Sequence, residues 1–173
     1  MTEKTDHPFS ILIIQTGGTI DKNYPKRAGA YAFEIGSPAS QEIVDAAYPS
    51  IKIEYGSVFR KDSQEINQQD RELLYEVCKA AIQSSIVITH GTDTLLETAV
   101  YLGNKALKKT IILTGSFRPA TFKNSDANFN LGVALGALQC ISTYGVYVAM
   151  NCQVFQWNQV TRNLDTGNFI AKL

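Results

Sequence analysis

The sequence has no excess of either charge. Lysine plus arginine and aspartate plus glutamate both number 16 in 173 residues. Without a basic field nothing recruits nucleic acid or an anionic membrane surface, so neither is expected as a partner. Histidine is scarce: His7 sits in the polar N-terminal stretch, which leaves His90. One histidine and three scattered cysteines cannot build a zinc site, and no metal is expected. Cys78, Cys140 and Cys152 form no Cys-x-x-Cys pair. Such an odd, widely spaced set reads as buried free thiols in a reducing compartment, the cytoplasm by default. The apolar runs are far too short to span a bilayer. Met1–Ser10 lacks a basic segment followed by an apolar core, so no signal peptide is expected. G-x-x-x-x-G-K-[ST] and G-x-G-x-x-G are both missing, which removes the fingerprints of phosphate and dinucleotide binding, and no cofactor is expected. Ala171-Lys172-Leu173 only loosely resembles a peroxisomal address and is read as an ordinary helix end.

What is present suits one soluble domain. The sequence is 45% hydrophobic and 18% charged, ordinary values for a globular chain. A short tail, 1–9, and a single domain, 10–173, are expected. Continuous β-branched apolar runs at Ile11–Ile14, Ile51–Phe59, Ile86–Thr89, Thr110–Thr114 and Gly145–Met150 fit strands buried on both faces. Helical spacing lies between them. Leu73, Leu74, Val77, Cys78, Ala81 and Ile82 follow a cap at Asn67, and Leu95, Leu96, Ala99, Val100, Gly103 and Leu107 repeat the pattern. Leu131, Ala134, Leu135, Leu138 and Ile141 follow a cap at Ser125, and a weaker helix covers Gln41–Tyr48. These stripes are expected to be core. Alternating strands and helices predict an α/β fold: an open, mostly parallel sheet with helices on both faces.

In such sheets ligands bind beyond the carboxyl ends of the strands. That rule nominates Thr16-Gly17-Gly18-Thr19, Asp62-Ser63-Gln64, His90-Gly91-Thr92-Asp93-Thr94, Gly115-Ser116-Phe117-Arg118-Pro119 and the segment after Asn151. His90 could serve as the base of a Ser-His-Asp triad, but a ring hydrogen-bonded inside the fold is the preferred reading. A hydroxyl nucleophile activated without histidine remains. Thr19 follows a Gly-Gly turn whose backbone can approach a substrate and aim amide N–H groups at an oxyanion. It needs a neighbour to accept its proton. Tyr24 and Tyr31 lie nearby in the long irregular segment 16–40, and Thr92-Asp93 offers a second hydroxyl beside a carboxylate. Thr92 is the alternative nucleophile.

Two of these clusters carry a resemblance. Ile14-Gln15-Thr16-Gly17-Gly18-Thr19-Ile20 resembles the first active-site signature of bacterial-type L-asparaginases, and the stretch from Val87 through His90-Gly91-Thr92-Asp93-Thr94 to Ala99 resembles the second. Asp62-Ser63-Gln64, Arg118-Pro119 and Phe129-Asn130-Leu131 match in order, over about residues 11 to 165. The resemblance implies hydrolysis of L-asparagine to L-aspartate and ammonia through an acyl-enzyme on Thr19, with Tyr24 assisting from a flexible lid. Thr92, Asp93 and a cation would form the second catalytic cluster. Gly18, Asp62, Ser63, Gln64, Gly91 and Asp93 would hold the small amino-acid amide, Ser63 and Asp93 at its α-carboxylate and α-ammonium.

The sequence departs from the family in three places. Longer members carry a second domain that completes the pocket across a subunit interface, and this sequence resembles the first domain alone. A homodimer or homotetramer is expected. Tyr24 follows Thr19 by only five positions, which keeps Tyr31 as a reserve. Where the family has an active-site lysine, this sequence has Arg162, which stays charged and cannot act as a proton acceptor. A bidentate pair between Arg162 and Asp93 is expected to keep Asp93 ionised. The alternatives are a glutaminase or other small-amide hydrolase, a non-catalytic amino-acid sensor, and one half of an amidotransferase.

Overall fold

The computed structural model describes residues 9–29 and 32–172. His7, Tyr31 and the tail up to residue 8 lie outside them. The elements are β1 (Ser10–Gly17), β2 (Lys22–Asn23), β3 (Glu34–Ile35), α1 (Ala39–Asp45), β4 (Lys52–Lys61), α2 (Gln68–Ala80), β5 (Ser85–Thr89), α3 (Leu95–Asn104), β6 (Thr110–Thr114), α4 (Ala127–Cys140), β7 (Gly145–Met150), β8 (Gln153–Gln156), β9 (Val160–Arg162) and β10 (Phe169–Ala171). Single 3-10 turns, Thr19–Asp21 and Ser63–Glu65, follow β1 and β4.

A six-stranded sheet runs in the order β4-β1-β5-β6-β7-β8. Its first five strands are parallel and only β8 is antiparallel. The α/β class read from the sequence is therefore correct. β5 and β6 are buried at every residue, as sheet covered on both faces requires. On one face Leu74 and Cys78 of α2 and Leu95, Ala99 and Leu102 of α3 meet Ile14, Ile86, Ile88, Ile111 and Leu113. On the other, Val44 of α1 and Leu131, Ala134 and Leu138 of α4 meet Ile11, Ile13, Val87 and Ile112. Each Leu, Ile or Val among them contributes roughly 1.5–3 kcal/mol on burial. Asn67 caps α2, its Oδ1 accepting from the Gln69 and Asp70 amides at 2.9 and 3.1 Å, and Asp70 answers by accepting from the Asn67 amide. That reciprocal cap sets where α2 begins and is worth about 1 kcal/mol.

Several expectations need correction. Leu73, Ile82 and Val100 are exposed, not core: Leu73 and Val100 because residues one apart on a helix lie about 100° apart and only one edge of each stripe meets the sheet, and Ile82 because α2 ends at Ala80, before it. Of the cysteines only Cys78 is buried; Cys140 and Cys152 are exposed. The C-terminal segment is not a helix end: β10 pairs antiparallel with β9. The cap region of α4 is shifted by one residue: Asp126 holds the N-cap position, while the Ser125 hydroxyl accepts from the Ala127 amide.

β1 connects outward to β4, and the chain then crosses back to place β5 on the other side of β1. The strand order reverses between β1 and β5. The crevice of an open α/β sheet forms at such a point, and the two threonine-bearing loops flank it.

Candidate active site

The loops after β1 and β5 are brought into contact by their glycines. Gly18 has φ 87°, a conformation that favours glycine. A Cβ there would overlap the backbone nitrogen and Cα of Gly91. One on Gly91 would fall 2.6 Å from the Ser63 side chain and 3.2 Å from Gly18 Cα. Gly18 N donates to Lys61 O at 3.0 Å, which ties the same turn to the end of β4. Three loops from three strands thus converge on two glycines, and Thr19 and Thr92 each follow one of them. Thr19 opens its 3-10 turn half-buried, and Thr92 is buried. Beneath them Thr16 Oγ1 donates to Thr89 O at 2.8 Å, locking the end of β1 to β5.

The charged rim lies beside Thr92. Asp93 is half-exposed; its Oδ2 accepts from Gln64 Nε2 at 2.7 Å and its Oδ1 lies 3.5 Å from Arg162 Nη1. Arg162 does not form the bidentate pair expected of it. Nη1 donates to Thr92 O at 3.1 Å and Nε to Gly167 O at 3.0 Å, while the guanidinium carbon lies 5.7 and 5.3 Å from the rings of Phe117 and Phe169. The β9-β10 hairpin turns Arg162 back onto its own loop, so its donors divide between that loop and the Thr92–Asp93 backbone and side chain. The aromatic contacts fix the guanidinium in place.

Ser63 is buried against Gly91, and its carbonyl accepts from Thr94 Oγ1 at 2.6 Å. Asp62 is committed elsewhere: Oδ1 caps the 3-10 turn through the Gln64 amide at 3.1 Å, and Oδ2 takes Lys22 Nζ at 2.7 Å. The Lys22 hydrogen bond holds the Asp62 carboxyl below the usual carboxylate range. Asp62 therefore anchors the loop that leaves β2. In that loop Tyr24 is exposed and meets Phe33 edge-on at 6.0 Å, and Phe33 in turn meets Phe122 at 5.8 Å.

His90 is fully buried. Its Nδ1 lies 2.8 Å from Gly91 O and its Nε2 2.9 Å from Thr98 Oγ1, which itself accepts from Arg71 Nε at 3.2 Å. With Arg71 donating to Thr98, the consistent assignment is Thr98 donating to Nε2 and Nδ1–H donating to Gly91 O. Burial pushes the ring down to about 4, so it stays neutral near pH 7. This is the internally hydrogen-bonded histidine read from the sequence. Both ring nitrogens are thus engaged within the fold, and the Nδ1 bond holds the Gly91 carbonyl. Among the described residues no group of three or more His, Cys, Asp or Glu is arranged to hold a metal ion.

The family description "Asparaginase, N-terminal" matches residues 10–169. The chain belongs to the asparaginase family. A probable periplasmic L-asparaginase of Haemophilus influenzae is 33% identical over 167 residues, covering 91% of this chain and 47% of that protein. A glutaminase-asparaginase of Acinetobacter glutaminasificans is 32% identical, over 94% of this chain and 53% of its own length. Among solved structures the thermostable L-asparaginase of Thermococcus kodakarensis superposes with a TM-score of 0.79 at 29% identity, covering 94% of this chain and 51% of that one. The chain spans about half the length of the relatives it matches.

Within this asparaginase-family domain some of the site's supports carried no sequence signal. Phe169 and the Gly167 carbonyl, which seat Arg162, lie in a short hairpin with no periodicity. Lys22, the partner of Asp62, is an unremarkable lysine in sequence. Phe117 stood in a nominated loop, yet nothing in the sequence tied it to Arg162. No helix among the described residues is long and apolar enough to cross a membrane.

Proposed function

We propose that this chain hydrolyses L-asparagine to L-aspartate and ammonia through a threonine acyl-enzyme, with residues 10–173 acting as one catalytic domain. The observation that carries the reading is the contact between Gly18 and Gly91, which sets the loops bearing Thr19 and Thr92-Asp93 against each other at the sheet's switch point. In the proposed reaction the Thr19 hydroxyl attacks the side-chain carbonyl as its proton passes to a neighbour. Backbone N–H groups of the glycine turns stabilise the oxyanion, the neighbour returns that proton to the amide nitrogen, and the C–N bond breaks to release ammonia. Water then adds to the ester and releases aspartate and free Thr19. Thr92 and Asp93 assist proton transfer, with Arg162 as the cation and Tyr24 at the rim. Ser63 and Asp93 hold the α-carboxylate and α-ammonium, with Gln64 orienting Asp93. The reaction requires no cofactor.

A second amide is in play, because the Acinetobacter relative is named a glutaminase-asparaginase. Glutamine is one methylene longer, a difference worth about 1–3 kcal/mol, or roughly 10–200-fold, in a shaped pocket. Asparagine is the expected preference. Ammonia release by the purified chain, measured over a wide range of both amides, tests this: equal kcat/KM for the two would end the specificity claim. No release from either would favour an amino-acid sensor. The active species is proposed to be a homodimer or homotetramer in the cytoplasm, and a fully active monomer in analytical ultracentrifugation would contradict the assembly.

Arg162 separates the enzyme from the sensor. If its charge serves to hold Thr92 and Asp93, Arg162→Ala should lose most activity, about 10–100-fold, the worth of a charge-assisted hydrogen bond of roughly 1.5–3 kcal/mol. Arg162→Lys keeps a cation near Thr92 O but gives up the Gly167 contact, so a loss of only a few-fold is expected. A large gain in Arg162→Lys, read from ammonia-release rates across pH, would mean that a proton acceptor was missing at this position.

A further inference from the structure

Asp21 closes the 3-10 turn that Thr19 opens, and it is nearly fully buried. Its backbone and side chain draw together three pieces of chain. Its amide donates to Gly18 O at 3.2 Å, its carbonyl accepts from the Gly36 amide at 2.8 Å, and its Oδ1 accepts from the Ala39 amide at 2.9 Å at the start of α1. Lys22 and Ile35, the first and last paired residues of the β2-β3 ribbon, lie between these bonds. Gln15 reinforces the arrangement, donating to Gly36 O at 3.1 Å while accepting from Ser57 Oγ at 3.0 Å. The second carboxyl oxygen, Oδ2, is buried with no hydrogen-bond partner. Asp21 borders a cavity of about 220 Å³ between the turn and α1, shared with Lys22, Asn23, Ser37, Ala39 and Glu42.

We infer that Asp21 is a positioning residue of the site: its carboxyl group fastens the Thr19 turn and the base of the Tyr24 loop to α1, in a proton-dependent way. The kinetic part of this inference rests on the proposed reaction; the structural part does not. Burial raises the Asp21 carboxyl from 3.8 to about 6, with the Ala39 amide and the Arg60 charge on β4 opposing it. Of the other charged groups bordering the cavity, Lys22 on β2 is engaged by Asp62, and Glu42 on α1 repels a second negative charge. Thr121, from the loop before α4, is neutral.

The sign follows from the direction of the shift. A group whose folded value is raised contributes stability that is complete below about 3.8 and is lost as pH rises through about 6. Above that, a buried carboxylate with one oxygen unpartnered gains by opening to water. From these two values the opening equilibrium of the Gly36 and Ala39 amides rises about tenfold between roughly pH 5 and pH 8.

Hydrogen exchange at Gly36 and Ala39, expressed as protection factors so that the intrinsic pH dependence divides out, reads this directly. In the natural protein protection should fall about tenfold over that range. Asp21→Asn, which keeps an acceptor for the Ala39 amide and carries no charge, should hold high protection at every pH. Asp21→Ala should be open at every pH. A flat natural profile, a natural slope surviving in Asp21→Asn, or unchanged protection in Asp21→Ala each overturns the inference. In ammonia release, Asp21→Ala should lower kcat more than it raises KM, with Asp21→Asn restoring kcat. Rates that ignore all three residues at this position would overturn the positioning role. If the chain shows no amidase activity, the proposed function fails, while the exchange measurements still decide the fastening.

Discussion

Thr19→Ala should reduce ammonia release by at least about a thousandfold, since loss of the proposed covalent nucleophile removes the intermediate rather than a contact. Its thermal transition should stay within roughly 1 kcal/mol of the natural protein, because half-exposed side chains outside the core rarely cost more. The turn is held by Gly18, Lys61 O and Asp21, whose bonds are all to backbone groups of the turn or to Asp21 itself. The substitution therefore removes a hydroxyl and leaves its frame. Paired measurements of turnover and melting decide the matter. Near-full activity in Thr19→Ala would transfer the nucleophile's role to Thr92, while a collapsed melting transition would show that the side chain helps to build the turn.

Thr92→Val is expected to lose about 10²–10⁴-fold in kcat, the usual worth of a positioned proton-transfer group. Valine matches threonine in shape, so the buried site beside Gly91 stays filled and the change is chemical. KM should move little. Mutant kinetics of that form mark an interaction made in the transition state. A raised KM with kcat intact would instead assign Thr92 to substrate binding. The backbone of Thr92 is held independently of its hydroxyl by Arg162 Nη1 on its carbonyl at 3.1 Å. Combining Thr92→Val with Arg162→Ala should therefore show whether the cation acts through the Thr92 hydroxyl: if it does, the double variant loses less than the product of the singles.

Much of the architecture is legible in the sequence alone. β6 and β7 lie where their apolar runs lie, and β5 begins one residue early, because strands buried on both faces must be apolar at consecutive positions. Asn67 caps α2 as read, since its side chain and the amides it serves are neighbours in sequence. The short strands after Met150 were missed. In β8 only Phe155 is buried, and β9 and β10 have three residues each, too few for any period to show. The exposure of Cys140 and Cys152 escaped for a different reason: burial depends on neighbours that composition does not name.

The sequence by itself determined the strand-and-helix alternation, the loops that end the strands, and the hydroxyl chemistry those loops offer. These are local properties, written in residue type and spacing. The tertiary structure decided which loops meet. It set β1 between β4 and β5, seated Gly18 on Gly91, and carried Arg162 across 70 positions to the Thr92 carbonyl. It also drew Asp62 away to Lys22 and buried Asp21 at the end of the turn that Thr19 opens. Those outcomes depend on strand order and on backbone contacts between segments far apart in the chain, where a side chain's partner is fixed by the packing of the whole sheet and not by the residues beside it.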